Sequence, residues 1–443
     1  MANQFPGDFS LLEVSLYSID ESQKIDIKPL VLEINIYESI FSSALQAEFA
    51  IQDIGENLIS SLPIVGQERI ELYISSDKKY YRLNFSVYKI DGRTMQENNQ
   101  VYEMRCVSIE ALRNENFRIC ERIDGIKSND IIKDILGRNN FSSKSLETDD
   151  TVFPFNMYVP NWRVFDLFKW LSVRSVPEYK KDSIGFFFYE TIDGYKFKSV
   201  DTLLDQQSYP SKEIKYSFYQ GNTSSYGNGS GEQYRIGNFA SPKAFDIYDD
   251  LRRGAFCHNA IYLDVNRATY RVFKTTADDF WDKSSHLENT KPFVSGGAAQ
   301  MLSRGSRFVY RPSTISTWGQ WNEEQTDKEK ENIDEINKNY EKAFYRYYFL
   351  EYNQLDISIP GDLSNRAGNV INVSIPSPKK SPDNKVQRDE RISGRYLVTS
   401  IKHSILNRSE LRTYITLSRD SYGGKSLPDI NLTGSQVNLD GTN

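Results

Sequence analysis

The chain has 443 residues, room for roughly three or four domains, with a net charge of −6 and an isoelectric point near 5.5. That balance excludes a global basic field able to recruit nucleic acid or an anionic membrane. Three cysteines, Cys106, Cys120 and Cys257, make neither a disulfide framework nor a zinc set, and they point to assembly in a reducing compartment. The first ten residues lack the basic and apolar regions of a signal peptide, and no apolar run approaches the ~20 residues of a membrane span. Aromatic residues make up 13% of the chain, as suits sheet-rich domains.

In chain order, alternating apolar and polar residues predict strands at 11–18, 30–37, 45–52, 68–75, 81–90 and 100–109, a first antiparallel β-barrel spanning 1–115. A helical turn is expected from Gly55 to Leu62, stopped before Pro63. Residues 116–208 read as an α+β insert. Ser128 is placed as the cap of a helix that Gly137 ends. Asn161 is placed as the cap of a second helix, with Val164, Leu167, Phe168 and Leu171 on one face. Asp193-Gly194 is a two-residue hairpin turn, and Phe186 to Tyr189 read as a strand buried on both faces.

The strand Lys212–Gln220 opens a second β-barrel, assigned to 209–240 and 345–420, with a flexible Gly/Ser-rich loop at 221–231. Residues 241–344 form a second insert, with strands in Ala260–Thr275. A charged segment, Asn322–Phe344, puts Ile333, Ile336, Tyr340 and Phe344 on one helical face and is expected to be a solvated helix lying against a domain. Leu355–Pro376 then reads as strand, Pro-Gly break, strand, and Gly394–Asp420 as a hairpin. The tail, 421–443, is rich in Gly, Asn and Ser.

The C-terminal strands repeat the N-terminal ones. Ala47–Gly55 reads like Leu355–Gly361, Val65–Ile74 like Ala367–Ile375, Leu83–Arg93 like Arg395–Ile405, and Gln100–Glu110 like Leu411–Ser421. Gly66 is matched with Gly368, Val87 with Val398 and Met104 with Tyr414. The expected fold is mainly β with α+β inserts: two tandem, similar antiparallel β-barrels plus two inserted domains.

No chemistry-bearing motif stands out. His258 follows Cys257, but nothing in the sequence supplies a third group to orient them. His403 lies in a hairpin arm and reads as structural. Gly423–Ser426 has the letters of a phosphate loop, yet Arg419 stands where its first glycine belongs and Pro428 interrupts any following helix. Carboxylate pairs such as Asp249-Asp250 and Asp278-Asp279 carry no information among sixty acidic residues. No catalytic, cofactor-binding or metal-ligating residue is assigned, and no cofactor is called for.

Four stretches carry a resemblance: Val159–Ser175, Gly185–Leu204, Leu355–Pro376 and Gly394–Asp420. With them the chain resembles the baseplate central hub proteins of T-even-like contractile-tailed phages, and also the hub part of type VI secretion spike proteins. The resemblance spans nearly the whole chain, and its motifs are structural. It implies a non-enzymatic homotrimer that joins a trimeric central spike to a hexameric tail tube and lines a channel through which genome DNA passes. Implied partners are the spike, the tube or its initiators, and, less directly, baseplate wedge and tape-measure proteins. The implied location is the virion tail, assembled in the host cytoplasm. Two barrels in each of three chains would give a pseudo-sixfold ring of six. The alternative is a hub of a type VI or extracellular contractile injection system. A cell-wall hydrolase is the reading from the enzyme class.

Overall fold

A computed structural model describes residues 9–55, 57–62, 64–76, 79–97, 99–208, 214–215, 235–243, 246–264, 268–292, 305, 307–312, 327–380 and 386–423. The N-terminal region is a strand meander: β1 (Phe9–Tyr17), β2 (Lys24–Asp26), β3 (Val31–Ser39), β4 (Gln46–Ile54), β5 (Arg69–Ser76), β6 (Lys79–Gln96) and β7 (Asn99–Val107). The six expected strands are all present, and the expected turn is the short helix Asn57–Ser61. Alternation sends Ala47, Phe49 and Ile51 of β4 inward, to meet Ile34, Ile70, Phe85 and Met104 in one core. The long strand β6 wraps that core. Its first half pairs with β5 and its second with β7, with a bulge between Val87 and Lys89 where the strand bends.

The next region holds β8 (Arg118–Ile119), β9 (Arg122–Lys127), β10 (Leu146–Thr148), β11 (Pro154–Tyr158), β12 (Trp162–Arg163), β13 (Phe186–Thr191) and β14 (Gly194–Ser199). Its helices, Ser128–Gly137 and Val164–Ser172, pack on a separate aromatic-rich core. The two-residue turn that joins β13 to β14 is Ile192-Asp193, one residue earlier than expected, because Gly194 (φ 124°) already pairs with Thr191; Phe186 to Tyr189 are buried throughout. Both expected caps move. Lys127 is the first cap, and the Ser128 hydroxyl lies 2.8 Å from that of Ser175 instead. Gly137 stays right-handed, and Asn139 and Asn140 take the left-handed turn beyond it. Asn161 is itself left-handed (φ 57°), in a tight turn before β12, so its helix starts later, and Asn114 Oδ1 accepts from the Phe165 N–H at 2.8 Å.

Beyond it come β15 (Ile214–Lys215), β16 (Asn238–Lys243), β17 (Cys257–Asp264), β18 (Thr269–Thr276) and β19 (Arg307–Pro312). Ala260–Thr275 is thus the heart of a β17–β18 hairpin, with β19 added in parallel to β17. The long helix Asp327–Leu350 leads into β20 (Asn353–Pro360), β21 (Val370–Ser374), β22 (Pro376–Lys380), β23 (Val386–Arg388), β24 (Gly394–Leu406) and β25 (Glu410–Arg419). The expectation of a solvated helix fails for its C-terminal half, where Asn337, Glu341, Ala343, Tyr345, Arg346 and Phe349 are buried. Most of Lys212–Gln220, the loop 221–231, and the tail after Gly423 lie outside the described residues. Among the described residues no helix is long and apolar enough to cross a membrane.

One 13-stranded, mostly antiparallel sheet joins the two ends of the chain. Two stretches of it have matching strand order. The first runs β3-β4-β7-β6-β5-β1 and the second β16-β20-β25-β24-β21-β15. The match extends to single hydrogen bonds. Gln67 N–H donates to Val87 O (2.7 Å) and Val87 N–H to Glu68 O (2.8 Å). Gly368 N–H donates to Val398 O (2.8 Å), and Val398 N–H to Asn369 O (2.8 Å). Gln67 and Gly368 are both left-handed, with φ of 80° and 89°. A bulge follows Val398 as one follows Val87. The counterpart of Gly368 is therefore Gln67 rather than Gly66. Since Met104 faces Phe49 as Ile415 faces Ile357, the counterpart of Met104 is Ile415 rather than Tyr414. The end strands differ: β1 is antiparallel to β5, whereas β15 is parallel to β21.

Candidate assembly surface

The two stretches meet at a strand-to-strand seam. Ser400–Leu406 of β24 pair antiparallel with Glu33–Ser39 of β3. Bonds from Ile40 N–H to Thr399 O (3.0 Å) and from Asn407 N–H to Leu32 O (2.8 Å) extend the seam at both ends. Alternation then sorts the side chains. Ile34, Ile36, Ile401, His403 and Ile405 are buried, while Tyr37, Lys402 and Tyr414 line the opposite face.

That opposite face carries both signs of charge. The Lys402 ammonium sits 5.7 Å from the Tyr37 ring centre and 5.8 Å from that of Tyr414. Tyr37 donates to Glu48 Oε2 at 2.6 Å, and burial together with this carboxylate pushes its phenol up. Arg105 lies within ion-pair reach of Glu48, Glu103 and Asp91. A groove of about 530 Å³ straddles the seam, lined by residues that include Tyr37, Asn238, Asp356, Lys402 and Tyr414.

Buried ion pairs fasten the inserts to the sheet. Glu38, 1% exposed on β3, accepts from Ile192 N–H (2.9 Å) in the β13–β14 turn and from Ala367 N–H (3.0 Å). Arg366 lies beside it and clasps Asp193 through Nε (2.7 Å) and Nη2 (3.1 Å). Burial pushes the Glu38 carboxyl up, with Arg366 opposing. Glu190 on β13 accepts from Leu45 N–H (2.9 Å), Ser108 Oγ (2.7 Å) and Lys144, and Lys144 also reaches Glu110. On the long helix, Arg346 spans Asp201 (3.3 Å) and Asp420 (3.8 Å). His286 Nδ1 lies 2.6 Å from Asp420. Despite burial, His286 and Arg346 hold the Asp420 carboxyl below its usual range.

The residues weighed in the sequence fall into these scaffolds. His258 does gain an orienting group: its Nε2 lies 2.7 Å from Glu341, and its Nδ1 lies 2.7 Å from the Tyr345 hydroxyl. Glu341 also accepts from Tyr262 (2.6 Å) and Arg311 (2.7 Å). His258, Glu341 and Tyr345 are all at most 2% exposed, so the cluster offers no approach to a substrate. Its chemistry is structural: a buried carboxylate satisfied by three partners. Cys257 is the next residue along β17, where neighbouring side chains point to opposite faces, and burial pushes its thiol up. His403 is fully buried, 3.1 Å from Thr413 Oγ1, and burial drops its pKa to about 3. Asp250 accepts from Tyr348, Asp249 pairs with Arg253, and Asp278 with Lys291. Glu38, Glu190, Glu341 and Arg346 were missed. The available signal for Glu341 was the run Ala343–Leu350, whose aromatics surround the helix on all sides and mark burial rather than solvation.

No protein-family model matches the sequence, and no curated protein is detectably similar to it. Solved structures do match. A tail protein from Neisseria meningitidis is 10% identical at a TM-score of 0.52, over 94% of this chain and 98% of that one. The 43 kDa tail protein of prophage MuSo2 from Shewanella oneidensis is 9% identical at a TM-score of 0.51, over 94% and 100%. The fold is shared with phage tail proteins. A weaker likeness, TM-score 0.45 at 10% identity over 94% of this chain and 79% of the other, is to a component of the Escherichia coli type VI secretion system. The resemblance seen in the sequence therefore holds for the fold along nearly the whole chain.

Proposed function

We propose that this chain is the structural hub of a contractile-tail baseplate. Three copies form a ring that joins a trimeric spike to a hexameric tail tube. The observation that carries the reading is the seam: two stretches of matching strand order run as one hydrogen-bonded sheet through β24 and β3. One chain thereby supplies two adjacent, similar units, and threefold symmetry multiplies them to six. In this reading 1–115 and 209–240 with 345–420 are the two barrels. The segments 116–208 and 241–344 are inserts that break the sixfold equivalence, and 421–443 is a tail. The polar, mixed-charge face around Tyr37, Lys402 and Arg105 would line the channel, where no net basic field holds DNA in transit. The role is structural rather than enzymatic, in the virion tail, with assembly in the host cytoplasm.

Light scattering on the purified chain tests the reading. The expected mass is about three times 51.2 kDa, with six similar lobes around a channel in averaged electron micrographs. A chain that stays monomeric at every concentration, alone and with a spike protein, overturns it.

A further inference from the structure

The seam inside the chain uses β24 of the second unit and β3 of the first. In the first unit the counterpart of β24 is β6, and in the second the counterpart of β3 is β16. The second half of β6, beyond Ser86, pairs with β7 on one side and with no described strand on the other. At the other end, β16 closes the sheet order of the described strands. We infer that β6 of one copy pairs antiparallel with β16 of the next copy, repeating the β24–β3 seam. The inference rests on the ring reading above and identifies the strands that would close that ring.

The register follows from the internal repeat. Lys402 lies opposite Tyr414, and Asp91 opposite Glu103, so Asp91 corresponds to Lys402. Tyr37 faces Gln46 as Lys243 faces Gln354, so Lys243 corresponds to Tyr37. Lys402 pairs with Tyr37 in the seam, which puts Asp91 opposite Lys243 across the new junction, an acidic position facing a basic one. The same steps further along put Thr94 (the counterpart of Ser404) opposite Ala240 (the counterpart of Asn35). They also put Met95 opposite Phe239.

Both strands carry an irregularity that the seam strands lack: β6 between Asp91 and Thr94, β16 between Ala240 and Lys243. Each adds one residue relative to its counterpart. The two extra residues fall opposite each other, so the ladder from Asp91–Lys243 to Thr94–Ala240 stays continuous. Gly92 would meet Pro242 there, and a proline is tolerated on a strand that is an edge in the isolated chain. Two independent irregularities that cancel are not expected of strands facing only solvent.

Cross-linking tests the pairing. Opposed residues in an antiparallel pair have Cα atoms about 4.5–5.5 Å apart, within disulfide reach. The full chain carries Cys120→Ser, because Cys120 is exposed while Cys106 and Cys257 are buried. Thr94→Cys with Ala240→Cys should then give disulfide-linked dimers and closed trimers on mild oxidation. Thr94→Cys with Ser241→Cys, one residue out of register, should not. If the chain is trimeric by mass but the first pair stays unlinked, or the shifted pair links instead, the pairing is overturned and the hub reading survives. A chain that is monomeric throughout overturns both.

Discussion

The two matching stretches solve one problem differently: each must satisfy the polar groups of one loop, between β4 and β5 in the first and between β20 and β21 in the second. After β4 the solution is local. Asp53 accepts from the N–H groups of Leu58 (3.1 Å) and Ile59 (3.3 Å), and Glu68 from those of Val65 (2.8 Å) and Gly66 (3.0 Å). After β20 the first part of the loop is also local, with Asp362 accepting from Ser364 N–H (2.8 Å) and Asn365 Nδ2 (3.2 Å), but the second part takes remote partners. Glu38 on β3 holds Ala367, Gln206 Nε2 donates to Gly368 O (2.6 Å), and Arg366 reaches across to Asp193. The first loop can form with its own strands alone. The second is completed only when the seam and the insert hairpin supply the partners of Arg366, Ala367 and Gly368. The second of the two matching stretches thus uses part of its loop as a fastener, and the wiring of the polar groups differs more than the strand order does.

Glu38→Ala breaks the comparison at its strongest point. It leaves the buried Ile192 and Ala367 N–H groups without their acceptor, at about 1–3 kcal/mol for each unmet group, while Arg366 keeps Asp193. Asp53→Ala removes only a helix-start acceptor, at about 1 kcal/mol. Urea denaturation of both variants should show that gap. Equal costs would mean that the remote wiring carries no more than the local.

A pH titration sharpens it further. Gly92 and Arg93 together stand in β6 where β24 has His403, so only the second stretch carries a buried imidazole there. Its pKa is about 3 when folded, depressed first by burial and then by Arg366, against about 6.5 when unfolded. The folded state therefore binds fewer protons between these values, and stability is lost as pH falls from about 6.5 toward 3. Glu38, pushed up by burial, acts in the opposite sense over the carboxylate range. The His403→Gln variant isolates the histidine: its stability should fall less steeply with acid than the parent's.

Much of this was legible in the sequence where period-two alternation is strong. Strands β3 to β7, β20, β24 and β25 all show it, because one face meets a core and the other does not. The repeat was legible too, but off by one residue at Gln67: Gly66 draws the eye and has a positive φ of its own (101°), yet the hydrogen bond to Val87 O that matches Gly368 to Val398 O is made by Gln67. The seam was not legible: nothing local in Ser400–Leu406 says that its partner is Glu33–Ser39, more than 360 residues away for Ser400 and Ser39. Nor were the buried carboxylates, because a Glu such as Glu341 in a charged helix looks like any other until its partners arrive from β17 and β19.

The smallest effects come from the pair of left-handed residues, and they carry opposite signs. Gly368 is closed to any side chain. A Cβ there would run into the Tyr189 hydroxyl and lie 3.4 Å from Leu203, with φ at 89°. Gly368→Ala should therefore destabilise by about 1–3 kcal/mol, the scale of one residue held in a disfavoured backbone region. At Gln67 the backbone is the same, but the side chain is exposed and already pays that strain. Gln67→Gly should relieve the strain, less the entropy that glycine adds to the unfolded chain, for a net gain of at most ~1 kcal/mol. If both variants destabilise, the shared hydrogen-bond pattern does not reflect a shared backbone constraint. If Gln67→Gly stabilises while Gly368→Ala does not fold, the constraint is common to both units and only the second has built its core against it.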